Sequence, residues 1–216
     1  SFATAQATTL YYSDGKTVLA RLGSTTRVDV PLKQVPVDVQ HAVLAAEDRH
    51  FYSEPGISPT GIMRALWTDL RGGEISQGGS TITQQLVKLN LLTDEQTLDR
   101  KVQEIVLAQR LELQMSKEEI LDRYLNTVYF GNHAYGVQAA AETYFGTDID
   151  KLDTGQAALL AGLISSPERS DPFRFPKSAL ERRRLALKRL VETGHITEAE
   201  ATFYQGVPLP SEPFKV

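Results

Sequence analysis

Residues 116–145 read SKEEILDRYLNTVYFGNHAYGVQAAAETYF, and they predict two helices that flank a Gly-rich loop. Ser116 and Glu119 have the spacing of a capping box, in which each side chain bonds the other residue's backbone N–H at a helix start. Apolar residues then recur at helical spacing on one inward face, and these are Ile120, Leu121, Tyr124, Leu125 and Val128. The stretch therefore predicts a helical core.

The helical pattern extends in both directions from this stretch. Pro36 suits the first turn of a helix whose apolar face comprises Val39, Ala42, Val43 and Ala46. Further helices are predicted from Ser58-Pro59 to Gly72-Gly73, from Ser80 over TITQQLVKLNLL, from about Thr97 to Met115, and from Thr154 over QAALLAGLI. Two more capping boxes, Ser178/Glu181 and Thr197/Glu200, mark helix starts near the C-terminus.

The N-terminal segment differs from the rest of the chain. Residues that favour strands stand on both sides of Asp14-Gly15, which predicts a β-hairpin. We therefore divide the chain into an extended or hairpin segment (1–35), a helical domain (36–205) and a Pro-bearing tail (206–216) typical of a linker. The predicted fold class is mainly α with a small β-hairpin.

Composition excludes several functions. The chain of 216 residues has 23 Lys and Arg against 27 Asp and Glu, so its formal charge of −4 gives no overall basic surface for nucleic acid. The absence of Cys excludes disulfides, thiolate nucleophiles and Cys-ligated metals. The four His residues do not have metal-ligand spacing, so no metal site is predicted. No apolar stretch approaches the roughly 20 residues that span a bilayer, and any membrane anchor is expected in a longer protein.

Two acids at the end of the first helix are the first candidate site. Glu47 and Asp48 follow an apolar helix and precede aromatic residues. Acids at a helix C-terminus oppose the macrodipole, at about 0.3–1 kcal/mol each, so function is one explanation for them. Apolar neighbours would raise the pKa of such a carboxyl and suit it to general acid or base catalysis. A salt bridge with Arg49 is the structural alternative.

The stretch GGSTITQQLVK, which begins at Gly78, is the second candidate site. Its glycines, hydroxyls and free helical N–H groups favour an anion. Two adjacent amides and one Lys fit a sugar phosphate better than a metal, although an ordinary capped helix would also explain the pattern. The candidate binding residues are Ser80, Thr81, Gln84, Gln85 and Lys88.

Two further charged patterns lie on predicted helices. Arg100 and Glu104 are four residues apart and share a helix face, as many surface ion pairs do. A basic run contains Arg182, Arg183, Arg184, Lys188 and Arg189. This run fits either a solvated surface or contact with anionic headgroups or a charged glycan precursor.

The order of these motifs resembles that of a known family. EDRHFYSEPG, GGSTITQQLVK, RKVQEIVLAQRLE, SKEEILDRYLNTVYFG with GVQAAAETYFG, and ALLAGLISSPERSDP resemble the five sequence blocks of the peptidoglycan glycosyltransferases, family 51. Members occur alone or as the N-terminal catalytic module of class A penicillin-binding proteins. The resemblance covers about residues 37–190 and implies a lysozyme-like, two-lobed helical fold.

The resemblance also implies an activity and roles for residues. Such enzymes polymerise lipid II into β-1,4 glycan strands with inversion and release undecaprenyl diphosphate. Glu47 matches the general base, Asp48 a supporting acid, and Glu104 an acid that orients groups at the diphosphate. The residues that match substrate-binding positions are Ser80, Thr81, Gln84, Gln85, Lys88, Arg100, Lys101 and Asn126.

The resemblance implies partners and a location as well. No cofactor is expected to be required, with room for a divalent cation (Mg²⁺ or Mn²⁺) at the diphosphate. Expected partners are lipid II, the growing glycan strand, moenomycin-type inhibitors and the membrane surface, with a transpeptidase domain elsewhere in a longer chain. The expected location is the outer face of the bacterial cytoplasmic membrane, with a transmembrane anchor outside this sequence.

Some features leave alternatives open. Ile62, Met63, Leu66, Trp67 and Leu70 fit either the membrane-facing lobe of the family or simple core packing. Glu54 stands where the family usually has His, and Leu89 separates Lys88 from the Asn that usually follows it. A lysozyme-like glycan-cleaving enzyme and a non-catalytic glycan-binding module are the competing functions.

Overall fold

A computed structural model describes the backbone of residues 8–11, 18–22, 29–53, 80–90 and 98–214, and the side chains of residues 29–53, 80–90 and 104–214. The chain is mainly helical in these parts, which confirms the predicted fold class. The helices are α1 (Val37–Glu47), α2 (Ile82–Asn90), α3 (Leu98–Gln114), α4 (Lys117–Leu125), α5 (Val137–Phe145), α6 (Thr154–Ile164), α7 (Pro176–Glu192) and α8 (Glu198–Gly206). Short 3₁₀ turns at Leu32–Gln34 and Ile149–Lys151 precede α1 and α6.

Two paired strands lie near the N-terminus, β1 (Thr8–Tyr11) and β2 (Val18–Leu22). They run antiparallel, with Leu10 opposite Ala20. This pairing agrees with the predicted hairpin, although the Asp14-Gly15 turn itself lies outside the described residues.

Helix α6 lies in the core of the domain. All of its residues except Gln156 are buried, because apolar and small side chains occur on every side of the helix. A capping box between Asp153 and Gln156 fixes its start, with hydrogen bonds of 2.8 and 3.0 Å. The helix packs against α1 and α7. A Cβ atom on Gly162 would lie 2.9 Å from the carbonyl carbon and oxygen of Arg182, so this glycine lets α6 and α7 approach closely.

Two of the predicted capping boxes are confirmed and one is wrong. Ser116 with Glu119 caps α4, and Thr197 with Glu200 caps α8. The Ser178/Glu181 box does not form, because α7 begins two residues earlier, at Pro176. Proline suits the first helical position, where its fixed φ and missing N–H cost nothing.

Helix α2 begins slightly later than the sequence predicts. We expected Ser80 as its N-cap, but α2 starts at Ile82 and the hydroxyl of Thr81 accepts a 3.2 Å hydrogen bond from the backbone N–H of Gln84. The predicted helix between Ser58 and Gly73, with its candidate membrane-facing residues, lies outside the described residues. Within the described part of the chain, no helix is both long and apolar enough to cross a bilayer.

Candidate active site

The candidate site is built where α1 ends. Glu47 is the last residue of α1, and Asp48 follows it in a non-helical conformation. The Asp48 carboxylate turns toward α2 and accepts a 3.1 Å hydrogen bond from the backbone N–H of Ile82. This N–H is among those at a helix start that have no acceptor within the helix, and the macrodipole favours a negative charge there. Asp48 therefore connects the end of α1 to the start of α2.

Glu47 is held by a chain of hydrogen bonds from two other helices. The side-chain amide of Gln85, on α2, donates to Glu47 Oε2 at 2.9 Å. The hydroxyl of Tyr124, on α4, donates to Gln85 Oε1 at 2.8 Å. Tyr124 is fully buried, and burial together with the nearby charges of Glu47 and Asp48 raises its pKa well above the usual value. The phenol therefore stays protonated and directs the amide N–H of Gln85 toward Glu47.

The pKa of Glu47 is raised, as the sequence predicts. Burial is the largest cause, and the charge of Asp48 adds to it. The hydrogen bond from Gln85 and the positive charges of Arg189 and Arg182 act in the opposite direction. A carboxylate in this environment is a stronger base than an exposed one, which suits it to accept a proton from a substrate hydroxyl.

The basic run of α7 serves more than one purpose. Arg182 and Arg189 are seven residues apart, about two helical turns, and they line a small pocket together with Glu47 and Ser165. Arg184 is exposed and bonds Glu181 at 2.8 Å, as expected for a solvated surface. The seven-residue spacing of Arg182 and Arg189 indicates that they share one face of the helix. The sequence motifs did not place these two arginines beside Glu47.

Arg183, in the same basic run, does not line that pocket. Arg183 is buried and donates to the backbone carbonyls of Gln205 and Val207 at 2.8 and 2.6 Å. These bonds attach the end of α8 to α7. Arg183 therefore has a structural role, which neither interpretation of the basic run included.

One of the predicted substrate-binding residues of α2, Gln85, lies beside Glu47. Gln85 contacts Glu47 directly, and the carbonyl of Ser80 accepts a 3.4 Å hydrogen bond from the same Gln85 amide. Gln84 is buried. Lys88 is exposed one turn further along α2. The fold thus brings Gln85 to the proposed base, while substrate contacts of these residues stay predictions.

Helix α3 contributes the predicted acid Glu104, which is buried. Further along the same helix, Glu112 accepts hydrogen bonds from Thr83 of α2 at 2.5 Å and from Lys117 at 2.8 Å. Helix α3 thus packs against α2. The side chains of Arg100 and Lys101 are outside the described residues, and their predicted role is untested.

Asn126 has structural contacts in this fold. Its side chain is buried, accepts from the N–H of Val30 at 2.9 Å, and donates to the carbonyls of Val30 and Asp122 at 2.9 Å. Both N–H groups of the amide are therefore in use, and substrate binding by Asn126 stays a prediction. Of the two departures from the family pattern, Leu89 is exposed and Glu54 lies outside the described residues.

The described residues include no group of three or more acidic or His side chains that could hold a metal ion. Among the described residues, His41 and His195 form a stacked pair, with ring centroids 3.7 Å apart. The sequence gives no spacing signal for this contact, because the two residues lie at opposite ends of the helical domain.

Comparison with known proteins identifies the family. A family model described as "Transglycosylase" matches residues 14–191, most of the chain. The chain belongs to the transglycosylase family. This transglycosylase chain is 45% identical over 192 residues to penicillin-binding protein 1A of Aquifex aeolicus, covering 89% of the chain and 26% of that protein. It is 42% identical to penicillin-binding protein 1A of Escherichia coli, covering 88% of the chain and 22% of that protein.

A solved structure supports the fold. The crystal structure of penicillin-binding protein 1A from Haemophilus influenzae superposes with a TM-score of 0.56 at 24% identity, over 97% of this chain and 22% of that chain. The matches to the Aquifex aeolicus and Escherichia coli proteins show that the transglycosylase chain spans about a quarter of the length of these curated relatives.

Proposed function

We propose that this transglycosylase chain is a peptidoglycan glycosyltransferase that polymerises lipid II into β-1,4 glycan strands. Family membership supports the reaction class. The observation that carries the proposal is the environment of Glu47, a carboxylate with a raised pKa held at 2.9 Å by the neutral amide of Gln85. A neutral donor orients the carboxylate and leaves it able to take up a proton.

In the proposed reaction, Glu47 accepts the proton of the acceptor's 4-hydroxyl. The hydroxyl oxygen forms a bond to the anomeric carbon of the donor as the bond from that carbon to the lipid diphosphate breaks. The electron pair leaves with undecaprenyl diphosphate. Attack on the face opposite the leaving group inverts the anomeric centre, and Glu47 later releases its proton to water.

The departing diphosphate needs its charge neutralised more than it needs a proton. Lys88 is exposed on α2, and Arg100 and Lys101 lie within helix α3. We assign the diphosphate to these three cations, with Glu104 as an orienting acid, and the other predicted α2 residues to the donor sugar. Local cations allow a chain of net charge −4 to bind an anionic substrate.

The longer protein extends this proposal. Since the relatives are about four times longer than the matched segment, we propose that the full protein includes a transpeptidase domain and a transmembrane anchor. It would then act at the outer face of the bacterial cytoplasmic membrane, with moenomycin-type compounds as donor-site inhibitors. A divalent cation at the diphosphate is tested by adding a chelator to the assay below.

The proposal is tested by incubating the chain with lipid II in detergent or vesicles. We expect glycan polymer and free undecaprenyl diphosphate. Glu47→Gln should lower the rate by about 10²-fold or more, because it removes the general base, and should still bind moenomycin. The exposed Glu118→Gln serves as a matched control and should polymerise normally.

Other products would support the competing functions. Cleavage of preformed glycan without polymer would identify a lysozyme-like enzyme. Glycan binding without turnover, unchanged in Glu47→Gln, would identify a binding module. Full polymerisation by Glu47→Gln would overturn the role of this residue.

A further inference from the structure

The structure points to a residue that prepares Glu47 for its role. We propose that Arg189 is a positioning residue for proton transfer at Glu47, which it influences by anchoring the end of α1 and by facing the carboxylate across a shared pocket. The expected effect on the reaction rests on the proposed function. The hydrogen bond between Arg189 and the end of α1 does not depend on it.

The first support is the anchor. The guanidinium of Arg189 donates a hydrogen bond to the backbone carbonyl of Ala46, although 143 residues separate the two in sequence. The last carbonyls of a helix lack partners within the helix, and a cation there interacts favourably with the macrodipole. Glu47 is the next residue after Ala46, so this bond fixes the backbone from which the proposed base extends.

The second support is the pocket. Glu47, Arg182 and Arg189 line it together, with Gly162 and Ser165 of the α6 end on another side. Arg182 is itself tied by a 3.3 Å hydrogen bond to Ser166. The two arginines therefore lie on the side of Glu47 that faces α6 and α7.

The charged groups around Glu47 show how Arg189 affects the pKa of this carboxyl. From α1 the neighbour is Asp48, from α2 the neutral Gln85, from α4 the protonated Tyr124, and from α7 Arg182 and Arg189. Arg189 is the larger of the two cationic influences that lower the pKa of Glu47 against the effect of burial. Without it, more of Glu47 would be protonated at neutral pH, and a protonated carboxyl cannot act as a base.

The test compares three variants of the full chain. Arg189→Gln removes the charge, Arg189→Lys keeps it on a side chain without the planar fork of arginine, and Arg184→Gln removes an exposed arginine of the same helix that pairs with Glu181. Two quantities are measured: the pH profile of lipid II polymerisation, and the titration of Glu47 by NMR with ¹³C-labelled glutamate, assigned by its absence in Glu47→Gln.

We expect Arg189→Gln to move both the acid limb and the NMR titration of Glu47 upward by about one pH unit, the lower end of the effect of a nearby opposite charge. Arg189→Lys should move them less, and Arg184→Gln should leave them in place. A general loss of structure would lower activity at every pH without moving the limb.

An unmoved Glu47 titration in Arg189→Gln would overturn the inference, and if that variant does not fold, an unmoved titration in Arg189→Met, which also removes the charge, would do so. Failure of the wild-type chain to polymerise lipid II would refute the proposed function instead, since the NMR titration does not depend on substrate.

Discussion

The hydrogen bond from Tyr124 to Gln85 can be removed by a substitution that changes little else in the site. Tyr124→Phe keeps the buried ring and removes only the hydroxyl that donates to Gln85 Oε1 at 2.8 Å. Without that donor, the Gln85 amide is free to turn its oxygen toward Glu47. We expect the rate of lipid II polymerisation to fall, because Glu47 loses the donor that orients it.

The structure sets the size of this effect. The bond from Gln85 to Glu47 has an ionised acceptor, and such a bond contributes about 1.5–3 kcal/mol. Losing all of it corresponds to about 10–150-fold in kcat. Because Tyr124→Phe leaves Gln85 in place, we expect about tenfold. The unsatisfied amide oxygen should also lower the free energy of unfolding by about 1–3 kcal/mol.

Tyr144→Phe is the matched control. Tyr144 is equally buried, and its hydroxyl donates to the carbonyl of Phe130 at 2.8 Å, away from the contacts of Glu47. Both variants are compared by urea unfolding and by initial rates of polymerisation, corrected for the folded fraction. Tyr144→Phe should lose stability and keep kcat. Equal rates for the two variants would show that the Tyr124–Gln85 bond serves stability alone.

Two further predictions concern packing and pH. Gly162→Ala should destabilise the fold by about 1–3 kcal/mol and lower kcat, because its Cβ atom would lie 2.9 Å from the Arg182 backbone. In the control Gly206→Ala the added atom has open space around it, so stability and kcat should not change. Thermal unfolding and initial rates of polymerisation of both variants test this prediction. Burial, and to a lesser extent the charge of His195, lowers the pKa of His41 below its ordinary 6.5, while the charge of Asp38 acts in the opposite direction. Near these pKa values His41 therefore binds more protons in the unfolded chain than in the folded one. Neutral His41 thus contributes to the free energy of unfolding above pH 6.5, and this contribution is lost as the pH falls through the lowered pKa. His41→Gln should therefore reduce the drop in Tm between pH 7.5 and 5.5, and an unchanged drop would contradict this.

Local sequence patterns predicted the parts of the fold that depend on residues close in sequence. The Ser116/Glu119 box fixes the start of α4 because a capping box needs only two residues three apart and the backbone between them. The same pattern failed at Ser178/Glu181, where Pro176 offered an earlier helix start. Where two local signals compete, packing decides between them, and packing depends on the rest of the chain.

The site was predictable in its residues and less so in its contacts. Glu47 stood out because an acid at a helix C-terminus is locally unfavourable, and its aromatic context predicted the raised pKa. Its partners were not predictable, since Gln85 is 38 residues away and Arg189 reaches the preceding carbonyl across 143. Such contacts depend on how helices pack, which no spacing rule for a single helix describes.

The fold gives two adjacent acids different electrostatic surroundings, and this difference bears on the mechanism. Asp48 leaves the helical conformation and bonds the backbone N–H of Ile82 at the start of α2, whereas Glu47 remains helical and accepts from a neutral amide. A carboxylate held directly by a cation would have a low pKa and be a weak base. In this site the arginines oppose the effect of burial from across a pocket, while Gln85 supplies the orientation. Gln85 orients the carboxylate and its hydrogen bond also lowers the pKa of Glu47, whereas the arginines contribute charge from across the pocket. Tyr124→Phe should therefore lower kcat and also move the acid limb of the pH profile upward, while Arg189→Gln should mainly move the pH profile.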